Sequence, residues 1–314
     1  MCYIDGKDNN KLVKLFSNFY FKKNINKNFK ISENILKVNI KYIYIFRFFC
    51  YNKIGGYKMN FENKVVLITG ATGGIGLEAT KEFAKRGAKL SLVDISNNNL
   101  DELKKKIKLN NDNSLFITAD VSNEEQVKEY VTQTIGKYGT IDIFLNNAGV
   151  EGNIASIIET KKEDLDYVLD VNVKGAYYGL KYVLPIMYEN KRGSVINTSS
   201  IAGFIGCLGM APYVASKHAL LGINKSAALE SAPFNVRVNA ICPGPVDNNM
   251  MRNIEIKVAP GAPDAVRDNL VKDIPLGKYA QNIDIVNMIL FLASDLSTYI
   301  TGIEYRIDGG MAAK

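Results

Sequence analysis

Val65-Val66-Leu67-Ile68-Thr69 runs straight into Gly70-Ala71-Thr72-Gly73-Gly74-Ile75-Gly76. The apolar, β-branched run predicts a strand buried on both faces, and the glycines after it predict a tight turn into a helix. Glycine permits that turn and lets backbone N–H groups come close to a phosphate. The helix N-terminus beyond adds unsatisfied N–H groups and a dipole that favours an anion. An ordinary strand–helix turn shares these features, so the loop alone does not decide between a nucleotide site and a bare connection.

From residue 59 onward, short apolar runs alternate with amphipathic segments, the pattern of βαβ units and a parallel sheet. Strands are predicted over 65–69, 89–94, 115–119, 141–146, 194–199, 236–241 and 303–306. Helices are predicted over 75–86, 98–109, 124–138, 162–189, 214–231 and 283–294. The first six strands are apolar throughout, as expected where helices cover both sheet faces. No repeat or linker breaks residues 59–314, so they read as one doubly wound α/β domain. Its sheet is predicted to be seven-stranded and mostly parallel. Residues 246–277 interrupt the rhythm, and their Pro and Gly content predicts an insertion of short helices.

Composition narrows the function classes. The chain has 314 residues, 47% hydrophobic and 23% charged, with no run of eighteen apolar residues that would predict a membrane helix. The formal net charge of +7 is concentrated in residues 1–58, which hold twelve Lys/Arg against three Asp/Glu. The rest holds 27 basic and 29 acidic residues, so no nucleic-acid-binding face is expected. The cysteines are Cys2, Cys50, Cys207 and Cys242, without C-x-x-C spacing, and the single histidine is His218. No zinc or other metal site is expected, and the thiols suit a reducing, cytoplasmic compartment.

Residues 1–58 are rich in Phe, Ile, Asn, Lys and Tyr and lack sustained periodicity. An organelle-targeting peptide would be Arg- and Ser-rich, whereas this stretch has one Arg and two Ser. A surface amphipathic anchor would need a clear polar face. Ile54-Gly55-Gly56-Tyr57-Lys58-Met59 back-translates to a codon string containing AGGAGG shortly before ATG, a bacterial ribosome-binding site. The expectation is an N-terminal extension that is disordered or arises from a mis-called start, with a bacterial chain beginning at Met59.

Tyr213 and Lys217, in Tyr-Val-Ala-Ser-Lys, stand at i and i+4 on one helix face. A phenol has a reference pKa of about 10, and a neighbouring ammonium is expected to lower it toward the range of a useful general acid or base. Ser200 lies thirteen residues before Tyr213, with Ser199 as an adjacent alternative, and Asn172 lies in Val-Asn-Val-Lys-Gly. His218 should point away from this face. With the Gly-rich loop, this set resembles the short-chain dehydrogenase/reductase family over roughly residues 60–311, including the tail Ile307-Asp308-Gly309-Gly310-Met311.

The resemblance implies a single Rossmann domain with its substrate lid at about 246–277, and a catalytic group of Asn172, Ser200, Tyr213 and Lys217. Tyr213 would exchange a proton with the substrate oxygen, and Ser200 would stabilise charge there as an oxyanion donor does. Lys217 would lower the tyrosine pKa and bond the nicotinamide ribose, and Asn172 would hold a water linking Lys217 to solvent. Cofactor contacts are implied at Gly70, Thr72, Gly73, Gly74, Ile75, Gly76, Asp94, Asp120, Val121, Asn147, Ala148, Gly149, Tyr213, Lys217, Pro243, Gly244 and Val246. In Asn146-Asn147-Ala148-Gly149, the family motif stabilises the central sheet and its first Asn and Gly line the cofactor. Asp120 would touch the adenine; read from its residues, it and Ser122 are equally good caps for the next helix. The family commonly has Thr where Asp247-Asn248-Asn249 stands here, and Asn248 is expected to replace its contact.

Asp94, eighteen residues after Gly76, can accept hydrogen bonds from an adenosine ribose diol and repels a 2′-phosphate. No Lys or Arg occupies 71–73 or 95, where NADP-preferring relatives usually place one. The expectation is an NAD(H)-dependent oxidoreductase acting on a small-molecule secondary alcohol or ketone. Apolar residues near the cleft (Val150, Phe204, Ile205, Leu208, Met210, Met250 and Met251) lean toward an apolar substrate. The alternatives are an NADPH-dependent 3-oxoacyl thioester reductase and a non-catalytic NAD-binding regulator on the same fold. The family further implies a homotetramer or homodimer, paired through the long helices at 162–189 and 214–231.

Overall fold

Seven strands lie side by side in the order β3-β2-β1-β4-β5-β6-β7, every pair parallel. They are β1 Val65–Thr69, β2 Lys89–Asp94, β3 Ser114–Thr118, β4 Ile143–Asn146, β5 Gly193–Thr198, β6 Val236–Pro243 and β7 Glu304–Ile307. The expected mostly parallel sheet is thus parallel throughout. The computed structural model describes residues 59–107 and 112–313, so the expectations for residues 1–58 and for the end of the helix at 98–109 lie outside the described residues.

Parallel neighbours need crossovers, and helices supply them: α1 Gly74–Ala84, α2 Asn97–Ile107, α3 Glu124–Tyr138, α4 Lys162–Leu169, α5 Ala176–Asn190, α6 Ala211–Ser231, α7 Asn249–Val258, α8 Pro263–Asp273 and α9 Asn282–Ala293. Alternate residues of each strand feed two cores. Val66, Ile68, Leu90, Leu92, Ile143, Leu145 and Ile196 join Phe83 of α1 and Ile285, Ile289 and Leu290 of α9. Leu67, Val93, Phe144, Val195 and Val238 face the other way, onto Val127 and Tyr130 of α3 and Val183 and Met187 of α5. Each such apolar side chain contributes about 1.5–3 kcal/mol on burial, which explains why these strands show no polar alternation.

The chain runs outward from β1 to β3, then crosses back to β4 on the other side of β1. The two connections leave the sheet in opposite directions there, opening a crevice at the strand C-termini. The Asn123 side chain, rather than Asp120 or Ser122, caps α3 by accepting from the N–H groups of Glu125 and Gln126. Two further differences from expectation bear on the crevice. The helix expected over 162–189 is interrupted by a π-helical turn, Asp170–Gly175, between α4 and α5. Periodicity does not reveal it, because its cause is tertiary: the buried Asn172 amide hydrogen-bonds a neighbouring loop. The region 246–277 does contain short helices, α7 and α8. Among the described residues, no helix is long and apolar enough to cross a membrane, and no His/Cys/Asp/Glu cluster could hold a metal ion.

A ladder of buried amides ties the layers together beneath the crevice. Asn146 Nδ2 donates to Ala176 O and Asn197 Oδ1, both at 3.0 Å. Asn197 Nδ2 donates onward to Asn224 Oδ1 of α6 at 3.1 Å. Asn146, expected to line the cofactor, is instead 6% exposed and committed to this ladder. Replacing Asn197 with leucine, which has the same branching and number of heavy atoms, would strand a buried donor and a buried acceptor, at a cost of about 3 kcal/mol. For a domain of this size the midpoint of thermal unfolding should fall by about 10 °C, followed by circular dichroism. A change under about 2 °C would show the ladder to be dispensable.

Candidate active site

The crevice is a cavity of about 720 Å³ whose wall passes from the Gly-rich loop, across the ends of β2 to β6, to the helices α7 and α8. Gly70 sits at φ +64°, and a Cβ there would lie 3.0 Å from Ala148 Cα. A Cβ on Gly76 would overlap the Gly70 carbonyl, so Gly76 lets α1 leave the turn closely and does not itself reach the cavity. Gly73 precedes α1 with no side-chain cap, which leaves the first N–H groups of the helix open to an anion. Thr69 and Asn147 lock the two sides of the crevice. The Thr69 hydroxyl accepts from the N–H groups of Asn147 and Ala148 at 3.0 and 3.1 Å, and Asn147 Nδ2 donates back to Thr69 O at 3.1 Å.

Asp94 ends β2 at the cavity wall. Its Oδ2 accepts from the Thr72 N–H at 3.0 Å and the Thr72 hydroxyl at 2.8 Å, so the carboxylate also braces the Gly-rich loop. Asp120 and Val121 line the same end; Asp120 Oδ1 accepts from the N–H and hydroxyl of Ser122. Thr72, Gly73, Gly74, Ile75, Asn147, Ala148, Gly149, Pro243, Gly244 and Val246 also form the wall. These groups fit a dinucleotide: an uncapped helix start for the pyrophosphate, a carboxylate for a ribose diol and a glycine-lined approach between them. Asn248 contributes differently from expectation, because its amide caps α7 at the Met251 N–H and bonds Asn282 Oδ1.

Ser200, Tyr213 and Lys217 converge on the middle of the wall. Tyr213 and Lys217 share a face of α6, with Lys217 Nζ 5.5 Å from the Tyr213 ring centroid. Lys217 is 4% exposed, and its ammonium donates to Thr198 O at 2.9 Å. Ser199 is turned away, donating to Lys217 O, which leaves Ser200 as the serine facing Tyr213. His218 is exposed and directed at Val214 O, as expected.

The electrostatics differ from expectation. Burial pushes the Tyr213 phenol up to about 12, with hydrogen bonding to Ser200 working the other way and the nearby Cys207 and Glu151 adding to the rise. Burial also pulls the Lys217 ammonium down to about 8. The expected lowering of the phenol by its lysine neighbour is not found; desolvation, which disfavours both charged forms, dominates the pair.

Asn172 is 1% exposed and does not reach the cavity wall. Its Oδ1 accepts from the Val150 N–H at 2.8 Å, and its Nδ2 donates to Val150 O and Ser216 Oγ at 2.9 and 3.0 Å. Both amide hydrogens are thus committed to holding the loop after β4 against α6. The side chain braces the loop after β4 against α6.

Val150, Ile205, Leu208, Met210, Met250 and Met251 line the cavity as expected, whereas Phe204 lies outside it, with the Arg306 guanidinium 5.6 Å from its ring centroid. Thr198, Tyr167, Ile254, Val258 and Met311 belong to the wall but were not singled out from sequence. The stripe Met250, Ile254, Val258, at i, i+4 and i+8, was a readable signal for part of that set. Across the mouth, Lys257 of α7 reaches Glu151 Oε1 and Gly152 O, both at 2.8 Å.

A family model described as enoyl-(acyl carrier protein) reductase matches residues 70–312. The chain is 39% identical to the 3-oxoacyl-(acyl-carrier-protein) reductase FabG of Thermotoga maritima, over 81% of this chain and 99% of that one. It is 36% identical to the levodione reductase of Leifsonia aquatica, over 81% and 96% of the two chains. Its structure resembles a crystal structure of levodione reductase with a TM-score of 0.79 at 36% identity, covering 81% of this chain and 99% of that one. An NAD+-bound xylitol dehydrogenase follows at 0.76 and 33% identity, with coverages of 80% and 99%. Matched over most of its length and carrying the glycine loop and the Ser200–Tyr213–Lys217 convergence, the chain belongs to the short-chain dehydrogenase/reductase family.

Proposed function

We propose that the protein interconverts a secondary alcohol and its ketone using NAD(H), with Ser200, Tyr213 and Lys217 touching the reacting groups and Asn172 positioning them. The observation that carries the reading is the convergence of the Ser200 and Tyr213 hydroxyls on one cavity that also holds the Gly-rich loop. The nicotinamide, when bound, supplies or accepts the hydride. In reduction the carbonyl carbon gains that hydride and the carbonyl oxygen gains the Tyr213 proton. Ser200 donates a hydrogen bond to the same oxygen, stabilising the charge that builds there. Lys217 restores the proton economy of the pair from beneath, and Asn172 keeps the loop at Val150 in register with α6.

The preference for NAD(H) rests on Asp94 and Asp120 at one end of the cavity, where among the described residues no Lys or Arg lines the wall. A 2′-phosphate beside these carboxylates would meet repulsion with no cation to offset it. Similarity to the Thermotoga 3-oxoacyl reductase favours a second reading, an NADPH-dependent thioester reductase, and cofactor kinetics separate the two. Assembly as a homodimer or homotetramer in the cytoplasm belongs to the same proposal.

The protein should use NADH with kcat/KM at least about tenfold above NADPH, a difference of roughly 1.4 kcal/mol. Asp94→Ser should erase most of that gap, and faster turnover with NADPH in the unmodified protein would refute the assignment. Tyr213→Phe should lose about 10³-fold in kcat while still binding NADH, measured by fluorescence titration. Undiminished turnover in that variant would remove Tyr213 from the chemistry.

The pH dependence follows from the pair. With the lysine near 8 and the phenol near 12, the first proton leaves the Tyr213–Lys217 unit at about pH 8. In reduction Tyr213 gives its proton to the substrate oxygen and is resupplied from the Lys217 ammonium; in oxidation Tyr213 takes the substrate proton as its own passes to neutral Lys217. For reduction, kcat/KM should be level below about pH 8 and fall above it; for oxidation it should rise to about pH 8 and then level. Lys217→Arg, which cannot lose its proton in this range, should abolish the break. A break that stays near pH 8 in that variant would assign it to another group.

A further inference from the structure

We infer that the substrate is an uncharged carbonyl compound made mostly of hydrocarbon, rather than an oxo acid, a polyhydroxylated ketone or a carrier-bound thioester. This rests on the reading of the site as a Tyr213-dependent ketone reductase and goes on to name what that site accepts. Among the described residues, the charged side chains on the cavity wall are Asp94, Asp120 and Lys217. Asp94 and Asp120 stand at the ends of β2 and β3, beside the Gly-rich loop. Lys217 is turned onto Thr198 O and is not available to a substrate anion. Between the loop after β5 and the lid helices, the wall is Ile205, Leu208, Met210, Met250, Met251 and Ile254. The polar side chains near them, apart from Ser200 and Tyr213, are the phenol of Tyr167, the thiol of Cys207 and, at the start of α7, the amides of Asn248 and Asn249, of which Asn248 is committed to Asn282 and the Met251 N–H. One carbonyl oxygen can be satisfied by Ser200 and Tyr213, whereas a carboxylate on the same molecule would meet no free cation and a row of hydroxyls would find only the Tyr167 phenol and the Asn249 amide.

The rim does not supply the missing cation. Lys257 is engaged by Glu151 and Gly152 O, Arg267 by Asp247 at 2.9 Å, and Arg252 by Glu255 and Asp264 at 2.9 and 2.7 Å. These pairs neutralise three of the lid's positive charges, so neither an anionic tail nor the acidic surface of a carrier protein meets a free cation in these three positions. Four methionines on the wall (Met210, Met250, Met251 and Met311) give an adaptable thioether lining suited to a ring or a branched chain.

The test is steady-state reduction by the full chain with NADH and with NADPH, comparing cyclohexanone and 2-octanone with acetoacetate, D-xylulose and an acetoacetyl-acyl-carrier-protein thioester. Expected is a kcat/KM for at least one of the two apolar ketones about 100-fold or more above the other three, lost in Tyr213→Phe. Met251→Arg and Ile254→Lys, each checked for folding by circular dichroism, should raise acetoacetate turnover and lower ketone turnover, each by about tenfold. Best turnover on acetoacetate, xylulose or the thioester, abolished in Tyr213→Phe, would overturn this substrate class and leave the reductase reading standing. An unchanged preference in both folded variants would also overturn it. No Tyr213-dependent turnover on any compound would take down the reductase reading and the substrate class together.

Discussion

Everything at the crevice depends on how closely two backbone turns approach each other at the ends of β1 and β4. The Thr69 hydroxyl accepts two N–H groups from the turn after β4, and Asn147 returns a bond to the β1 carbonyl. That reciprocal lock leaves no room for a side chain on Gly70, whose φ of +64° and 3.0 Å approach to Ala148 admit glycine alone without strain. The direction of α1, the uncapped N–H groups at its start and the position of Asp94 against Thr72 all follow from this closure. The dinucleotide cradle is therefore a consequence of sheet topology sharpened by two side chains, rather than a loop added to a finished fold.

The same topology explains which parts of the molecule were legible in the residues. Strands such as Val65–Thr69 and Lys89–Asp94 declared themselves because burial on both faces demands unbroken hydrocarbon, and their observed bounds match those expected. The interruption at Asp170–Gly175 was not legible, since Val171, Val173 and Ala176 continue a helical pattern and the cause lies in a loop far along the chain. Asn146 looked like a cavity residue because it precedes Asn147 in one motif, yet alternation along β4 sends its side chain into the sheet. Ser200, Tyr213 and Lys217 were legible as a set because two of them share a helix face and the third follows β5 by two residues, at the start of the short turn Ile201–Gly203. Asn172 was found by motif, but its work as a brace became visible only when Val150 and Ser216 were seen at its amide.

Sequence spacing put Tyr213 and Lys217 on one helix face with an incomplete account of their electrostatics. Proximity of Lys217 argues for an acidic tyrosine, but proximity on this face comes with burial, and burial opposes charge on both partners. The result is a phenol that stays protonated at neutral pH above an ammonium that gives up its proton unusually readily. On the proposed chemistry such a site would donate to a carbonyl oxygen, and the reverse reaction would need the pair to have lost one proton.

That argument extends to the rest of the wall. A buried pair poised by desolvation needs surroundings that stay dry and uncharged; a substrate carrying its own anion would alter the field that sets the proton balance. The lid meets this requirement by pairing Arg252 and Arg267 with its own carboxylates and Lys257 with Glu151 across the mouth, while presenting thioether and branched aliphatic groups inward. Lys257, by holding Glu151, also tempers the negative charge closest in sequence to the loop that Asn172 braces. Cavity lining and proton chemistry are thus one constraint, in which low polarity at the substrate end tunes the Tyr213–Lys217 pair and selects what can lie against it.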